Sequence, residues 1–560
     1  MAIQSDNVPD VFTLSQWDKI GLDQQGRRGA IDDQAQWWNE NLFAVGEGNL
    51  RSCWGVAPPI YTCPPGRRIL RVFFGFYGND QTLYGQPPPG RKGFMFLDDG
   101  TAQEVDLDTG TVVNIGSGPC WQPIAPKYWC DLKVWRPRWF GSQPGEIGGV
   151  VFGSPKGLYA WDGTTRYDPG QPAPDWLTSA DTDPFPGLTN MPLQADLPGI
   201  YALEVYVNRL WVAGKNEISF SKPGNAVDFT VEDGGGFILY FGDKLVHDYV
   251  DLAASGGYLF CFGDSSIDVI NNVQESGGTQ GANAVTSFNY ANVDPVVGQR
   301  FPRPVGHWGR YFVLYNGAGI YFNQGGDCIP IGQKLSNIYD SLDSSEFYPT
   351  MAPATMFNNR VMLFNGMFTD PFGVKRNLLL MWHGTFWSVA SQWYQGQQLT
   401  LTNIGTYEDN SIMRPFGTDG TRLFELFSQP DPNLPKRLST KALQGDDPKS
   451  RLTIKNLKRL YLDIHDNSGF PTKNNADQYV NTGNPLGVSF TGNVLTEGGV
   501  DRPGRQDVAF DLSPGQVHAI RAWPLSCSGI SAAVDLISYS PDFTIERLHL
   551  SNEGRTFWGA

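Results

Sequence analysis

The sequence predicts an all-β protein: a β-propeller of six or seven blades followed by a separate β-sandwich-like domain. Three observations point there. Gly (65 residues) and Pro (40) are abundant together, and aromatics make up 13% of the 560 residues, which suits short strands, many turns and aromatic packing between sheets. Apolar residues alternate over short runs, with no sustained helical or heptad period. A strand–turn–strand unit recurs from about residue 65 to 430, mostly at spacings of roughly 50–60 residues, near the upper end for propeller blades.

The clearest copy runs through Tyr206-Val-Asn-Arg-Leu-Trp-Val-Ala-Gly and onward to Phe229. A strand over 209–213 places Leu210 and Val212 on one face, and a second over 217–221 does the same with Ile218 and Phe220. The turn Gly214-Lys215-Asn216 joins them, and Pro223-Gly224 ends the unit. One hairpin of this kind is not stable alone in water, so it requires neighbours. Related text lies at 71–76 with 93–100, at 148–163, 258–270 and 310–322, at 359–365 with 377–384, and at 414–427. Each copy exposes a face unless it is stacked radially on the next, which is how a propeller closes. A stack of sandwiches is the rival arrangement.

The flanks read differently. Residues 1–60 are irregular and polar, with a packing anchor at Trp37-Trp38, and form an N-terminal arm that docks on a neighbour or supplies a strand to a later sheet. The propeller is expected over 61–430. Residues 431–459 combine Pro432, Pro435 and Pro448 with Lys436, Arg437, Lys441, Lys449, Arg451, Lys455, Lys458 and Arg459, against Asp446 and Asp447. This composition predicts a basic linker, either plainly solvated or meeting DNA or an acidic face of a neighbouring subunit. From 460 to 560, strands are expected at 460–464, 486–490, 507–511, 517–522, 530–534 and 543–550, a spacing that suits a small sandwich.

The net charge of −15 argues against general nucleic-acid binding, which needs clustered Lys and Arg, and suits either solubility or a wall that does not hold a polyanion. The opening Met1-Ala-Ile-Gln-Ser-Asp-Asn lacks a basic segment followed by an apolar run, so no signal peptide is expected, and no apolar stretch of membrane-spanning length occurs. Synthesis in the cytoplasm follows from that reading. The cysteines at 53, 63, 120, 130, 261, 328 and 527 are odd in number and sparse, which favours buried thiols over a disulfide framework. The pairs Cys53/Cys63 and Cys120/Cys130 share a ten-residue offset without an evident role.

Motifs that carry chemistry are few in this sequence. Phosphate-loop, dinucleotide, HExxH and GxSxG patterns are absent, and without CxxC pairs no zinc site is expected. Ser265-Ser266 sits at a hairpin tip beside Asp264 and reads as a turn rather than a nucleophile. Asp98-Asp99-Gly100 and Asp106-Leu-Asp-Thr-Gly110 offer closely spaced carboxylates, but they miss the calcium-loop pattern and suit hairpin turns. Acidic residues are spread through turns and the sialidase box is missing, while a carboxylate pair assembled in space stays open. No catalytic, cofactor or metal residues are therefore assigned, and no enzyme activity is expected.

Three segments carry a family resemblance. Asn208-Arg-Leu-Trp-Val-Ala-Gly with Ile218-Ser-Phe-Ser-Lys-Pro-Gly-Asn-Ala-Val-Asp-Phe-Thr230 resembles blade text of the nozzle proteins of short-tailed bacteriophages, also called packaged-DNA stabilisation or tail tubular proteins. Leu259-Phe-Cys-Phe-Gly-Asp-Ser-Ser-Ile-Asp-Val269 is similar to the next family segment, with Asp268 where the family has Glu, and Gly309-Arg-Tyr-Phe-Val-Leu-Tyr-Asn-Gly-Ala-Gly-Ile-Tyr321 to the one after. The match covers about 200–330 and is general elsewhere. The resemblance implies a virion structural protein. Its partners would be five further copies in a homo-hexameric tube, the phage adaptor ring, tail fibres or spikes, and double-stranded DNA passing through without sequence-specific binding. Six copies at −15 each would total −90, a wall that repels duplex DNA at short range. Neither the residues lining such a channel nor the gate loops are legible. The alternative is a propeller-type tail adhesin or glycan-binding protein, commonly three-fold rather than six-fold; a propeller glycan hydrolase comes third.

Overall fold

The computed structural model describes residues 11–76, 91–117, 131–135, 149–177, 190–239, 249–277, 284–299, 305–444, 454–497 and 504–555, apart from 33, 47, 155, 194–195, 198, 215–216, 348 and 410–411. Among these residues the chain is almost wholly β, with only single-turn helices such as Ser336–Tyr339. Six four-stranded antiparallel sheets stand as separate blades, and a seventh four-stranded unit belongs to a nine-stranded sheet. Blade 1 is Ile69–Phe76, Arg91–Leu97, Thr101–Asp106 and Val112–Ser117; blade 2 is Leu132–Trp135, Gly149–Ser154, Gly157–Trp161 and Arg166–Tyr167. Blade 3 is Ala202–Tyr206, Arg209–Gly214, Glu217–Phe220 and Gly236–Leu239; blade 4 is Tyr249–Ser255, Tyr258–Gly263, Ile267–Ser276 and Val285–Asp294. Blade 5 is Val305–Trp308, Tyr311–Tyr315, Ile320–Asn323 and Ile329–Pro330. The seventh unit, blade 6 in chain order, is Thr350–Met356, Asn359–Thr369, Lys375–Trp382 and Trp387–Ala390. Blade 7 is Asn403–Asp409, Ile412–Thr418 and Arg422–Glu425, completed by Tyr61–Thr62 from the N-terminal side of the ring.

Blade 3 shows why the local text folds this way. Val207 and Asn208 both take left-handed backbone (φ 49° and 56°), the turn that matches strand twist in a two-residue hairpin, and Val207 bears the strain at the surface. The Leu210 and Val212 face packs with Val151, Leu158 and Leu203 in the core shared with blade 2. The Trp211 and Ala213 face packs with Leu252, Leu259 and Cys261 of blade 4. Both faces are thus buried, and fully burying such side chains contributes about 1.5–3 kcal/mol each. Asn216 and Lys215 of the expected turn lie outside the described residues, but Gly214 pairs with Glu217 across it.

The second domain is a two-sheet sandwich drawn from both ends of the chain. One sheet orders Leu42–Val45, Asn49–Ser52, Phe543–Arg555, Ile454–Asp466 and His518–Pro524, with Val11–Leu14 paired to Phe543–Arg555. The facing strands are Lys436–Thr440, Ser531–Ser538, Val488–Glu497 and Arg505–Leu512. Gln36–Glu40 lies between Trp387–Ala390 of blade 6 and Lys436–Thr440, so a single sheet runs from the propeller into the sandwich. Leu42, Leu460, Leu462, Phe490, Phe510, Leu536, Ile545 and Leu548 fill the core between the sheets.

One segment takes the second of its two expected forms and another differs from expectation. Within 1–60, Gln36–Glu40, Leu42–Val45 and Asn49–Ser52 supply strands to sheets built from later residues rather than forming an arm. Within 431–459, Lys436–Thr440 and the start of Ile454–Asp466 are strands, and Lys436 and Lys455 are buried. The physical reason is pairing: each segment meets complementary strands far away in sequence, which outweighs its polar composition. Lys449, Arg451, Asp446 and Asp447 lie outside the described residues.

Candidate functional site

The first strand of each blade lies innermost, and most of these strands pack side by side around the axis. Close approach needs small residues: a Cβ on Gly75 would stand 2.5 Å from Val134 Cγ2, and one on Gly405 would stand 2.5 Å from a Phe74 ring carbon. On these strands sits a belt of charge: Arg71 on blade 1, Lys133 on blade 2, Glu204 on blade 3, Asp251 on blade 4, His307 on blade 5 and Glu408 on blade 7. Blade 6 contributes backbone, the Pro353 carbonyl accepting from Thr406 Oγ1.

Lys133 is the centre of the belt. Its Nζ donates to Glu204 Oε2 at 3.0 Å, bridging blades 2 and 3. Burial works against the ammonium, but Glu204 and then Asp251 outweigh it, and its pKa ends above the ordinary value. Asp251 accepts from the Leu252 backbone at 2.9 Å and from Gln299 Nε2 at 3.4 Å. Burial pushes its carboxyl above the usual carboxylate range, opposed by Lys133 and Arg71. Burial also lowers His307, favouring the neutral ring, with Glu204 and Glu408 pulling the other way. Arg71, Glu204 and Asp251 are all buried, whereas Glu408 of the same belt is exposed.

The belt thus sets two carboxylates, Glu204 and Asp251, about one lysine, Lys133, an arrangement that sequence spacing left open. Its only sequence signal is one titratable residue in the first strand of every blade but the sixth, indistinguishable from ordinary alternation. The other residues singled out have structural surroundings. Ser265 and Ser266 form the turn between Tyr258–Gly263 and Ile267–Ser276, with the Gly263 N–H donating to the Ser266 carbonyl. Asp99 accepts from the Thr101 backbone and pairs with Arg67 at 3.1 Å. Asp106 accepts from Asp108 and Thr109 backbone and from Lys92 Nζ. Trp38 is buried and donates to Glu40 Oε2 at 3.2 Å, while Trp37 lies under Arg28. Cys53 and Cys63 are buried free thiols, each with its pKa raised by burial; Cys120 and Cys130 lie outside the described residues.

The motif residues 208–230 are also structural. Arg209 donates to the Ser221 and Gly234 carbonyls and to Thr286 Oγ1 of blade 4 at 2.9 Å, and burial lowers its pKa to about 10. Trp211 Nε1 donates to the Tyr206 carbonyl at 3.0 Å. The Lys222 N–H donates to the Asp228 carbonyl and Gly224 N–H to that of Asn208, which folds the Pro-Gly loop back on its hairpin.

Together these features define a propeller protein with a sandwich domain continuous with one blade. No protein-family model and no curated protein matches the chain. Solved structures with some likeness include BBS1N in complex with ARL6DN, at 9% identity and TM-score 0.38, covering 67% of this chain and 98% of that one. U3-55K matches at 9% identity and TM-score 0.31 over 65% and 100%, and the N-terminal domain of Nup159 at 8% and 0.30 over 69% and 98%. Likeness at this level carries no functional argument, and the propeller assignment rests on the strand pairing above.

Proposed function

We propose that the chain is a structural subunit of a short phage tail: a nozzle protein, non-enzymatic, that retains packaged DNA and gates its ejection into the host. The observation that carries this reading is the motif text at 208–230, 259–269 and 309–321, which resembles nozzle proteins and builds blades 3, 4 and 5. The charge balance of −15 supports passage of a polyanion over retention on the wall. Arg71, Glu204 and Asp251 are buried around the propeller axis, and a duplex, whose major groove alone is about 12 Å wide, does not fit there. A conduit built from this chain therefore lies between copies, with each propeller as a wall block. The sheet shared by blade 6 and the sandwich suits such a block, because it ties the two domains through backbone hydrogen bonds.

Adhesion to glycans is the second reading, supported by exposed Phe237, Tyr258, Tyr290 and Tyr311 on blades 3 to 5, where rings can stack on sugar faces. Native mass spectrometry of the purified full chain separates the two. Assemblies of six copies are expected for the nozzle, whereas trimers that bind host polysaccharide would replace it with the adhesin.

A further inference from the structure

The solvent-facing side of the sandwich sheet holds a polar cluster that neither the propeller nor the proposed conduit uses. Three of the six histidines, His465, His518 and His549, lie on neighbouring strands of this sheet. Two are engaged elsewhere: His549 Nδ1 is 2.8 Å from Thr13 Oγ1, and His465 stacks on Phe470 with its Nδ1 3.1 Å from Asn467 Oδ1. His518 instead turns its Nε2 to Asp463 Oδ1 at 2.6 Å.

The third member arrives through a backbone irregularity. Pairing between Ile454–Asp466 and Phe543–Arg555 jumps from Asp463 with Arg547 to Ile464 with Ile545, leaving Glu546 as the extra residue of a bulge. A bulge bends its strand and re-aims a side chain. Here the carboxylate comes onto the face of Asp463 and His518, and the donor atoms of all three lie within 4.8 Å of one another.

We propose that Asp463, His518 and Glu546 bind one divalent transition-metal ion, with Zn²⁺ the best match. Two carboxylates and a neutral imidazole balance a charge of +2, and they present the mixed oxygen and nitrogen donors that Zn²⁺ takes in three-ligand sites with water in the fourth position. Ca²⁺ takes six to eight oxygen ligands and Mg²⁺ a near-ideal octahedron, which three donors including a nitrogen do not supply. Zinc–ligand distances of about 2.0–2.2 Å place tetrahedral ligand atoms roughly 3.3–3.6 Å apart, so the Asp463–His518 contact opens slightly as Glu546 closes. His518 has 47% side-chain exposure, which provides the entry path, and Asp463 at 7% is the anchored ligand. Bound metal would cross-link three adjacent strands, among them His518–Pro524 at the sheet edge.

The test is calorimetric titration of chelator-treated full-length protein with Zn²⁺, and separately with Mg²⁺, followed by thermal unfolding. One Zn²⁺ per chain, a raised Tm and no comparable Mg²⁺ uptake are expected. His518→Ala and Glu546→Gln should each weaken binding by at least about 100-fold, beyond what loss of an outer-shell partner costs, while His465→Ala leaves it unchanged. Glu546→Gln preserves side-chain shape, so its metal-free Tm should match the parent and separate lost binding from lost folding. Absence of saturable Zn²⁺ uptake, or uptake indifferent to both ligand variants, would overturn the site.

Discussion

The propeller and the sandwich reach similar burial by opposite routes. Blade 3 is one continuous stretch from Ala202 to Leu239, and each of its strands pairs with the next in sequence. The sandwich joins Val11–Leu14 to Phe543–Arg555, and Lys436–Thr440 to both Gln36–Glu40 and Ser531–Ser538. Local hairpins close small loops, whereas the sandwich must bring the two chain ends together, an entropically slower step. Propeller closure depends on the same event, since Tyr61–Thr62 completes blade 7 just after the N-terminal sandwich strands. The domain with the longest-range contacts thus holds the ring of short-range ones shut.

Buried polar groups concentrate where the two routes meet. Arg376 of blade 6 pairs with Glu40 through Nη1 at 2.5 Å and Nη2 at 2.7 Å, and with Asp370 through Nε at 2.9 Å. Asn41 donates to Ser391 Oγ and to the Pro435 carbonyl. Lys436 donates to the Asp431 carbonyl at 2.8 Å, and burial pushes its pKa down to about 7.

The largest expected effect is at this junction. Glu40→Ala should destabilise the protein by about 3–5 kcal/mol in denaturant titration, because it leaves the Arg376 charge buried with Asp370 as its remaining acid. If propeller and sandwich are one cooperative unit, intrinsic probes in both should report the same midpoint shift. Leu462→Ala in the sandwich core should cost about 2–5 kcal/mol and move the same transition; a separate sandwich transition would break the coupling. Lys436→Met sharpens the comparison through pH. A lysine whose folded pKa is depressed binds fewer protons folded than unfolded between pH about 7 and 10.5, so stability of the parent rises across that window. Thermal melts should therefore show the Met variant gaining most below pH 7 and losing its advantage by pH 10. At the hairpin tips, Asp419→Ala should cost about 1–2 kcal/mol, since its carboxylate caps Thr421 and Arg422 backbone N–H groups and pairs with Arg422. The smallest effect is expected for Lys473→Ala, whose ion pair with Asp477 is exposed, and it should leave the denaturant midpoint within measurement error.

The legible part of the fold was the part whose own text alternates. Alternation at Leu210, Val212, Ile218 and Phe220 marked the middle strands of blade 3, and the text at 359–365 with 377–384 became the middle strands of blade 6. Distant partners did not by themselves hide a strand, since the text at 460–464 and 543–550 lies in Ile454–Asp466 and Phe543–Arg555, which pair with each other; the strands that left no trace were the polar ones. Asn49–Ser52 looks like polar coil until Phe543–Arg555 lies beside it, and Lys436 looks solvated until Asp431 and the sheet enclose it. The axial belt was hidden for a related reason: Lys133, Glu204 and Asp251 are far apart in sequence and meet only when the ring is complete. Glu546 belongs to the same class, because a bulge is a property of pairing rather than of the strand's own text.

In the proposed function, this chain walls a conduit between copies rather than through its own axis. Electron cryomicroscopy of intact short-tailed particles carrying the protein tests it most directly. Six copies are expected around an axial channel at the distal end of the tail, each with its propeller axis off the channel and DNA or a plug above a constriction. Three-fold appendages on the particle periphery, or density for DNA inside the propeller itself, would contradict it.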